Sequence, residues 1–197
     1  MEIALVGLLG VVLGSVISIL HKLLDDHRAK KKRAEYLAIR VVYIIEKFME
    51  ECFLVAGDDG EMYGRDKDGC IQLQTKLPEL GFESLDVDWQ SLPFDIMYEI
   101  LNFPSDVRAS NGLIDSVYEY VASPPDYGEW VEERQFQYSK LGLKANDISI
   151  KLREKYCMPI KLFENWDPVE HLKHVNSKIL GIRQEREVRN HELQKSA

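Results

Sequence analysis

The stretch that decides the architecture of this chain is Ile3–Leu20, IALVGLLGVVLGSVISIL, which contains no charged side chain. As an α-helix it is about 27 Å long, close to the ~30 Å hydrocarbon core of a bilayer. Leu23 and Leu24 extend it by half a turn past Lys22, whose stem can carry its charge towards the headgroups. We therefore predict a single transmembrane helix, a signal anchor, over residues 1–24.

Three other interpretations of the apolar run stay open. A cleavable signal peptide would carry a basic segment before the run and small residues at its end, whereas this run follows Met1-Glu2 and ends in bulky residues. An interfacial helix would need a polar face, which residues 3–20 do not have. A buried core helix is the third alternative.

The apolar run is followed by a cluster of basic residues, here called the basic collar. The collar comprises Lys22, Arg28, Lys30, Lys31, Lys32 and Arg33. The other flank offers only Glu2 and the α-amino group, so the positive-inside rule places the residues after 22 in the cytoplasm and the N-terminus outside. The same collar would attract the anionic headgroups of the cell membrane.

Small residues recur within the predicted span at spacings of three, four and four. They are Gly7, Gly10, Gly14 and Ser18. Such a pattern lines one face of a helix and lets two backbones approach closely, which favours a homo-oligomer formed through the membrane helix. The simpler alternative is that glycine is common in membrane helices without any such role.

Length and charge limit the remaining possibilities. The 197 residues, 45% of them hydrophobic and 29% charged, suit one compact domain with an appendage. Residues 34–133 hold 6 basic and 22 acidic side chains, while 134–197 hold 13 basic and 8 acidic ones. An acidic centre disfavours nucleic acid as a partner. The three cysteines are too few for a disulfide framework and indicate free thiols.

Beyond the collar, the patterns predict a mainly α-helical cytoplasmic domain. Residues 25–56 form a basic and then amphipathic helix, either the first core helix or one seam of a coiled coil. Residues 57–91 form a Gly- and Asp-rich loop, with one possible short hairpin between Glu61–Gly64 and Cys70–Thr75. Residues 92–197 form a helical domain.

Proline, glycine and helix-capping residues divide residues 92–197 into predicted helices. One helix should stop before Pro104, and the next should run to about Ala122. A third should begin at an N-cap on Ser123 and end at Gly142, where a fourth follows after a break. Asp167 and Glu170 form a capping box that opens the last helix.

No catalytic constellation is apparent, so catalytic residues stay unassigned. We find no phosphate-binding glycine loop, GxSxG, HExxH or CxxC motif. We expect no cofactor and no metal, because Gly57–Gly69 lacks the first and twelfth ligands of an EF-hand loop and His171 with His174 lacks a third ligand.

Two short resemblances bear on nucleic acids. Arg186 and His191 are spaced as R-x4-H, which resembles the signature of HEPN ribonucleases over six residues. Residues 134–161, basic and centred on Gly142, are loosely similar to a helix-turn-helix. Together with the span and the collar, these patterns favour a single-pass membrane-anchored interaction or scaffold module that recruits a protein partner. A membrane-anchored hydrolase or nuclease is the alternative.

Overall fold

A computed structural model describes residues 2–61, 64–161, 163 and 166–196, and it does not describe the side chains of 1–12, 83, 84 and 196. The chain folds into four long helices: α1 (Glu2–Gly57), α2 (Phe94–Tyr120), α3 (Gly128–Lys155) and α4 (Pro168–Ser196). Two short 3-10 helices, Gly81–Ser84 and Trp89–Ser91, lie between α1 and α2. The prediction of a mainly helical protein is confirmed.

Helix α1 is continuous but has two different environments. Every residue from 13 to 33 is exposed, and burial begins abruptly at Ala34, which is 5% exposed. From there the helix carries the apolar stripe expected from the sequence. Its fully buried members include Leu37, Ala38, Val41, Ile45, Phe48, Cys52 and Val55. The prediction of one long helix ending near Ala56 therefore agrees with the structure.

The other helices pack around the second half of α1. Phe48 of α1 meets Phe103 of α2 edge to face, with ring centroids 5.4 Å apart. Helix α3 runs antiparallel to α1, because Arg153 near its end binds Glu46 and Arg134 near its beginning binds Asp58. We call the end of the bundle at Ala34 the proximal end, and the end at Gly57 and Gly128 the distal end.

The predicted helix end before Pro104 is wrong, because α2 continues through this residue. A proline inside a helix removes one hydrogen bond and costs about 3 kcal/mol. The residues around it compensate, since Ile96, Ile100, Phe103 and Val107 all face the core and are buried. Burying each such side chain contributes roughly 1.5–3 kcal/mol, so packing outweighs the local cost.

The predicted break at Gly142 is also wrong, and with it the likeness to a helix-turn-helix. Helix α3 runs uninterrupted through this position. A Cβ atom on Gly142 would lie 2.7 Å from Leu172 Cδ1 and 3.0 Å from Cys52 Cβ. The glycine is present because α1, α3 and α4 meet there at close range, and not because a helix ends.

The smaller expectations have mixed outcomes. Ser123 is not a helix cap: α3 begins at Gly128, after Tyr127 in the left-handed conformation and with no side-chain cap. Asp167 does cap α4, since its carboxylate accepts a hydrogen bond from Val169 N at 2.8 Å. In the described residues the expected hairpin is reduced to one antiparallel bridge between Arg65 and Ile71.

Candidate functional sites: the stalk of α1 and the distal groove

The first candidate site is the exposed part of α1, residues 13–33, here called the stalk. It carries seven large apolar side chains that are 47–65% exposed, and these are Leu13, Val16, Ile17, Ile19, Leu20, Leu23 and Leu24. Exposed apolar side chains that occur singly are ordinary, but a contiguous set marks a surface that another molecule or a membrane covers.

Within the described part of the chain, no helix combines the length and the apolar character needed to cross a membrane. Residues 3–12 of the predicted span lie outside the residues whose side chains are described, and Gly7 and Gly10 are among them. Of the small residues in the described part, Gly14 has no atom within 4 Å of the position that a Cβ would occupy, and Ser18 is exposed.

The structure brings the basic collar together as an exposed ring around the helix. Lys22, Arg28, Lys30, Lys31, Lys32 and Arg33 are all exposed. At about 100° per residue, the four consecutive residues from Lys30 to Arg33 point in four directions. Lys31 lies 3.8 Å from Glu35, and Arg33 lies 3.7 Å from Asp88 beside a short 3-10 helix of the bundle. The collar therefore fills the interval between the apolar part of the stalk and the proximal end.

The second candidate site is a groove of about 620 Å³ at the distal end. Its apolar floor comes from Ile71, Val131, Val175, Ile179 and Ile182. Its charged and polar lining comes from Asp59, Glu61, Arg65, Asp126, Glu132, Gln135, His171, His174 and Lys178. The end of α1, the first half of α3, α4 and the loop after α1 each supply one side.

A buried ion pair fixes the loop that forms this groove. Asp58 Oδ2 lies 3.4 Å from Arg134, and it accepts hydrogen bonds from Thr75 N and Gln74 N at 2.8 Å and from Thr75 Oγ1 at 2.7 Å. Burial alone would raise the pKa of Asp58, but these donors lower it. For Arg134, burial has the largest effect and lowers the pKa of the guanidinium. The neighbouring Asp58 carboxylate acts in the opposite direction but does not cancel this effect.

His171 is the polar group in the groove with the least usual environment. Its Nε2 atom is buried and has no hydrogen-bond partner, and its ring meets Phe53 edge to face at 4.7 Å. Burial, with a smaller effect of His174, lowers the pKa of His171. A neutral imidazole packed against an aromatic ring and Gly57 is a packing group, and no substrate position follows from it.

Three of the charged residues that line the groove are held in ion pairs. Arg65 lies 2.6 Å from Asp126, and Glu132 is held by Arg183 at 3.0 Å and by Arg186 at 2.9 Å. The described lining residues include no serine, threonine, cysteine or tyrosine that a base could activate. The groove thus places no nucleophile beside a base.

The residues of the HEPN-like spacing and the histidine pair do not assemble a site either. Arg186 is bound to Glu132 on the surface, and His191 is exposed five residues further along α4. Across the described ranges, no three histidine, cysteine, aspartate or glutamate side chains are grouped so as to hold a metal ion.

Comparisons with family models, with curated proteins and with solved structures gave no match.

Sequence reasoning missed the Asp58–Arg134 pair and the distal groove, because their parts come from four separate segments. One signal was available for the pair. Asp58 directly follows the apolar stripe of α1, where a charged residue at the end of a helix needs a partner if it is buried.

Proposed function

We propose that this protein is a membrane-tethered helical interaction module that projects its bundle into the cytoplasm. The observation that carries the proposal is the burial boundary at Ala34 within one continuous helix. On one side of the boundary, α1 is the central core helix. On the other side it exposes a dense set of large apolar side chains, preceded by the rest of the Ile3–Leu20 run.

A membrane is the environment that best accounts for this exposed apolar segment. Placing large apolar side chains in hydrocarbon removes the cost of hydrating them, about 25 cal/mol for each Å² of apolar surface. The ring-like distribution of the collar supports a helix that enters the bilayer rather than one that lies on it, since a helix lying flat presents its basic residues on one side only.

The distances support the same arrangement. From Leu24 to Ala34 the helix rises about 15 Å, which exceeds the interfacial layer of roughly 6 Å on each side of a bilayer. The bundle would therefore stand clear of the headgroups, and the collar would extend from their level, at Lys22 and Arg28, to the proximal end of the bundle at Arg33. Each collar residue near the surface adds about 1 kcal/mol of attraction to anionic lipid, and the positive-inside rule puts the bundle in the cytoplasm.

Self-association through α1 is part of the proposal. Gly14 and Ser18 lie on the side of the helix opposite to the core. At about 100° per residue, Tyr36, Ile39 and Tyr43 point within about 40° of the Gly14 direction. These three large side chains are 58–72% exposed. Two copies meeting along this side would bury small residues in the membrane and large ones beside the bundle.

Membrane fractionation with an alkaline carbonate wash, followed by protease protection of a C-terminal tag, tests the tether. We expect the protein to stay in the washed membrane, with its tag on the cytoplasmic side. Release by carbonate would contradict a spanning helix. A tag protected on the outer side would contradict the orientation but leave the span intact.

A further inference from the structure

Three aromatic rings form a cluster at the distal end, on the side away from the stalk. Tyr118, in the last turn of α2, stacks on Tyr127 with centroids 5.6 Å apart and an interplanar angle of 20°. Trp130, in the first turn of α3, lies 5.0 Å from Tyr118 and 6.2 Å from Tyr127. We call this cluster the distal aromatic face.

The rings of this face are only partly covered by the protein. Tyr118 is 51% exposed, and neighbouring Tyr120 is 78% exposed. Tyr127 is held at a positive φ of 45°, a conformation that is uncommon for a bulky residue. This backbone conformation places the Tyr127 ring in contact with both Tyr118 and Trp130.

Acidic side chains surround the face. Asp115 and Glu119 flank Tyr118 on α2, while Asp126 and Glu129 flank the other two rings, and all four are exposed. Asp66 comes close from the loop, where Ile71 N donates a hydrogen bond to Pro125 O at 3.3 Å. Desolvation, followed by the nearby Cys70, Tyr118 and Asp66, raises the pKa of Tyr127.

Little positive charge offsets these carboxylates in the described residues around the face. Arg65 pairs with Asp126 at 2.6 Å and donates to Gly69 O at 2.9 Å, so its charge is already engaged. Lys67 is exposed in the same loop. Asp126 also lines the distal groove, where Asp59 and Glu61 add carboxylates and Lys178 of α4 adds one positive charge.

We propose that the distal aromatic face binds an arginine- or lysine-rich segment of a partner protein. A guanidinium stacks on an aromatic ring and pairs with carboxylates at the same time, which this surface offers over a short distance. The inference rests on the proposed role as a recruiting module, for which it supplies the class of partner. The location fits that role, since the distal end is the part of the bundle farthest from the stalk.

A direct binding experiment needs no membrane, so it can fail independently of the tether. The full-length protein in detergent micelles is titrated into a short fluorescein-labelled peptide of alternating Arg and Gly, and anisotropy is recorded at low and at high salt. A peptide with Glu in place of every Arg is the charge control. We expect the Arg peptide alone to bind, more weakly as salt increases.

Substitutions then locate the binding. Glu119→Gln with Glu129→Gln should weaken binding of the Arg peptide roughly tenfold, and Tyr118→Ala about two- to fivefold. Tyr98→Ala and Glu187→Gln, on exposed surfaces elsewhere, are matched controls that should bind like the wild type. Trp130 is left unchanged because it also packs against the core.

The inference is overturned if the Arg peptide does not bind at low salt, or if the distal variants bind it as tightly as the wild type. It is also overturned if a peptide of residues 22–33 of this chain binds more tightly than the Arg peptide, because the occupant would then be a second copy. Thermal unfolding of each variant separates a lost contact from a lost fold.

Discussion

The carboxylate of Asp58 lies 3.4 Å from the guanidinium of Arg134, and these side chains are 6% and 3% exposed. Asp58 follows the last residue of α1, and Arg134 stands in the second turn of α3. Arg134 also donates hydrogen bonds to the carbonyl and hydroxyl oxygens of Thr75. One buried ion pair therefore joins the core helix, the long loop and the helix that supplies one side of the distal groove.

Replacing Asp58 by Asn should destabilise the bundle by about 3–5 kcal/mol at neutral pH, because it leaves the Arg134 charge buried without its partner. The measurement is urea unfolding of the full chain in detergent. The control is Asp106→Asn, which breaks the more exposed pair with Lys144 and should cost less than about 1 kcal/mol. Equal costs for the two variants would contradict the structural role given to Asp58.

The effect of Asp58 should depend on pH. The pKa of Asp58 is lowered in the folded protein, so its carboxylate stabilises the fold above the ordinary pKa of about 3.9. That contribution is lost as the pH falls through the lowered folded-state value. The stability gap between wild type and Asp58→Asn should therefore be constant above about pH 5 and shrink below it. A gap that widens on acidification would reverse the sign of the argument.

Gly142→Ala should destabilise the protein by about 1–3 kcal/mol, because the added methyl group would press on Leu172 and Cys52 where three helices meet. Gly112→Ala is the matched control, since no atom lies within 4 Å of the position of its added Cβ. Alanine is the better helix former, so that variant should gain up to about 1 kcal/mol. Thermal unfolding of both variants decides the point, and opposite shifts are expected.

Leu13→Arg together with Ile17→Arg should release the protein from carbonate-washed membranes. An arginine near the middle of a membrane helix costs about 2.5–3.5 kcal/mol for insertion. Leu54→Arg is the control, because Leu54 is equally exposed on α1 but lies beyond the burial boundary. Retention of the double variant would show that the stalk does not enter hydrocarbon.

If the proposed tether is correct, exchanging all six collar residues for Gln should mix the two membrane orientations of the protein, because the positive-inside rule then no longer favours one of them. Protease protection of the C-terminal tag measures the fraction in each orientation. Exchanging Lys178, Arg189 and Lys195, which are exposed on α4, should leave the orientation unchanged. A single preserved orientation in the collar variant would mean that another feature sets the topology.

Gly10→Leu with Gly14→Leu should weaken self-association, because leucine side chains would hold two helix backbones apart. Crosslinking in membranes, quantified against total protein, measures the change. Val16→Leu enlarges a residue about 200° around the helix from Gly14 and serves as the control. A crosslinked fraction that survives the glycine substitutions would remove the small-residue face from the interface.

The sequence predicts the elements of this fold better than their ends. The apolar spacing along α1 identifies the core residues of 34–56, because a 3.6-residue period shows directly which face is buried. Pro104 and Gly142 misled the prediction because each has a local tendency to end a helix. In both cases packing over a longer range, through Phe103 and through Leu172, decides the outcome.

The candidate sites also differ in how far the sequence predicts them, depending on whether their residues are neighbours in the chain. The stalk and collar are contiguous in sequence, so their composition alone suggests a role. The distal aromatic face brings Tyr118 together with Tyr127 and Trp130 across the turn between α2 and α3. The sequence patterns predict a helix start at Ser123 in this turn, so the cluster is not foreseen. The Asp58–Arg134 pair joins residues far apart in the chain, and no local pattern pairs one acidic residue with one of many basic ones.

The continuity of α1 through Ala34 has a geometric consequence for how the bundle is aimed. One continuous helix connects the exposed apolar segment to the core of the bundle. The rotation of the apolar segment about the helix axis therefore fixes the rotation of the bundle about the same axis. Each residue inserted between Leu24 and Ala34 would turn the bundle by about 100° and lift it by about 1.5 Å, and seven inserted residues would nearly restore the original facing at about 10 Å greater height. In the proposed membrane-tethered arrangement, the nine residues between Leu24 and Ala34 would thus set which side of the bundle faces a neighbouring protein on the same membrane.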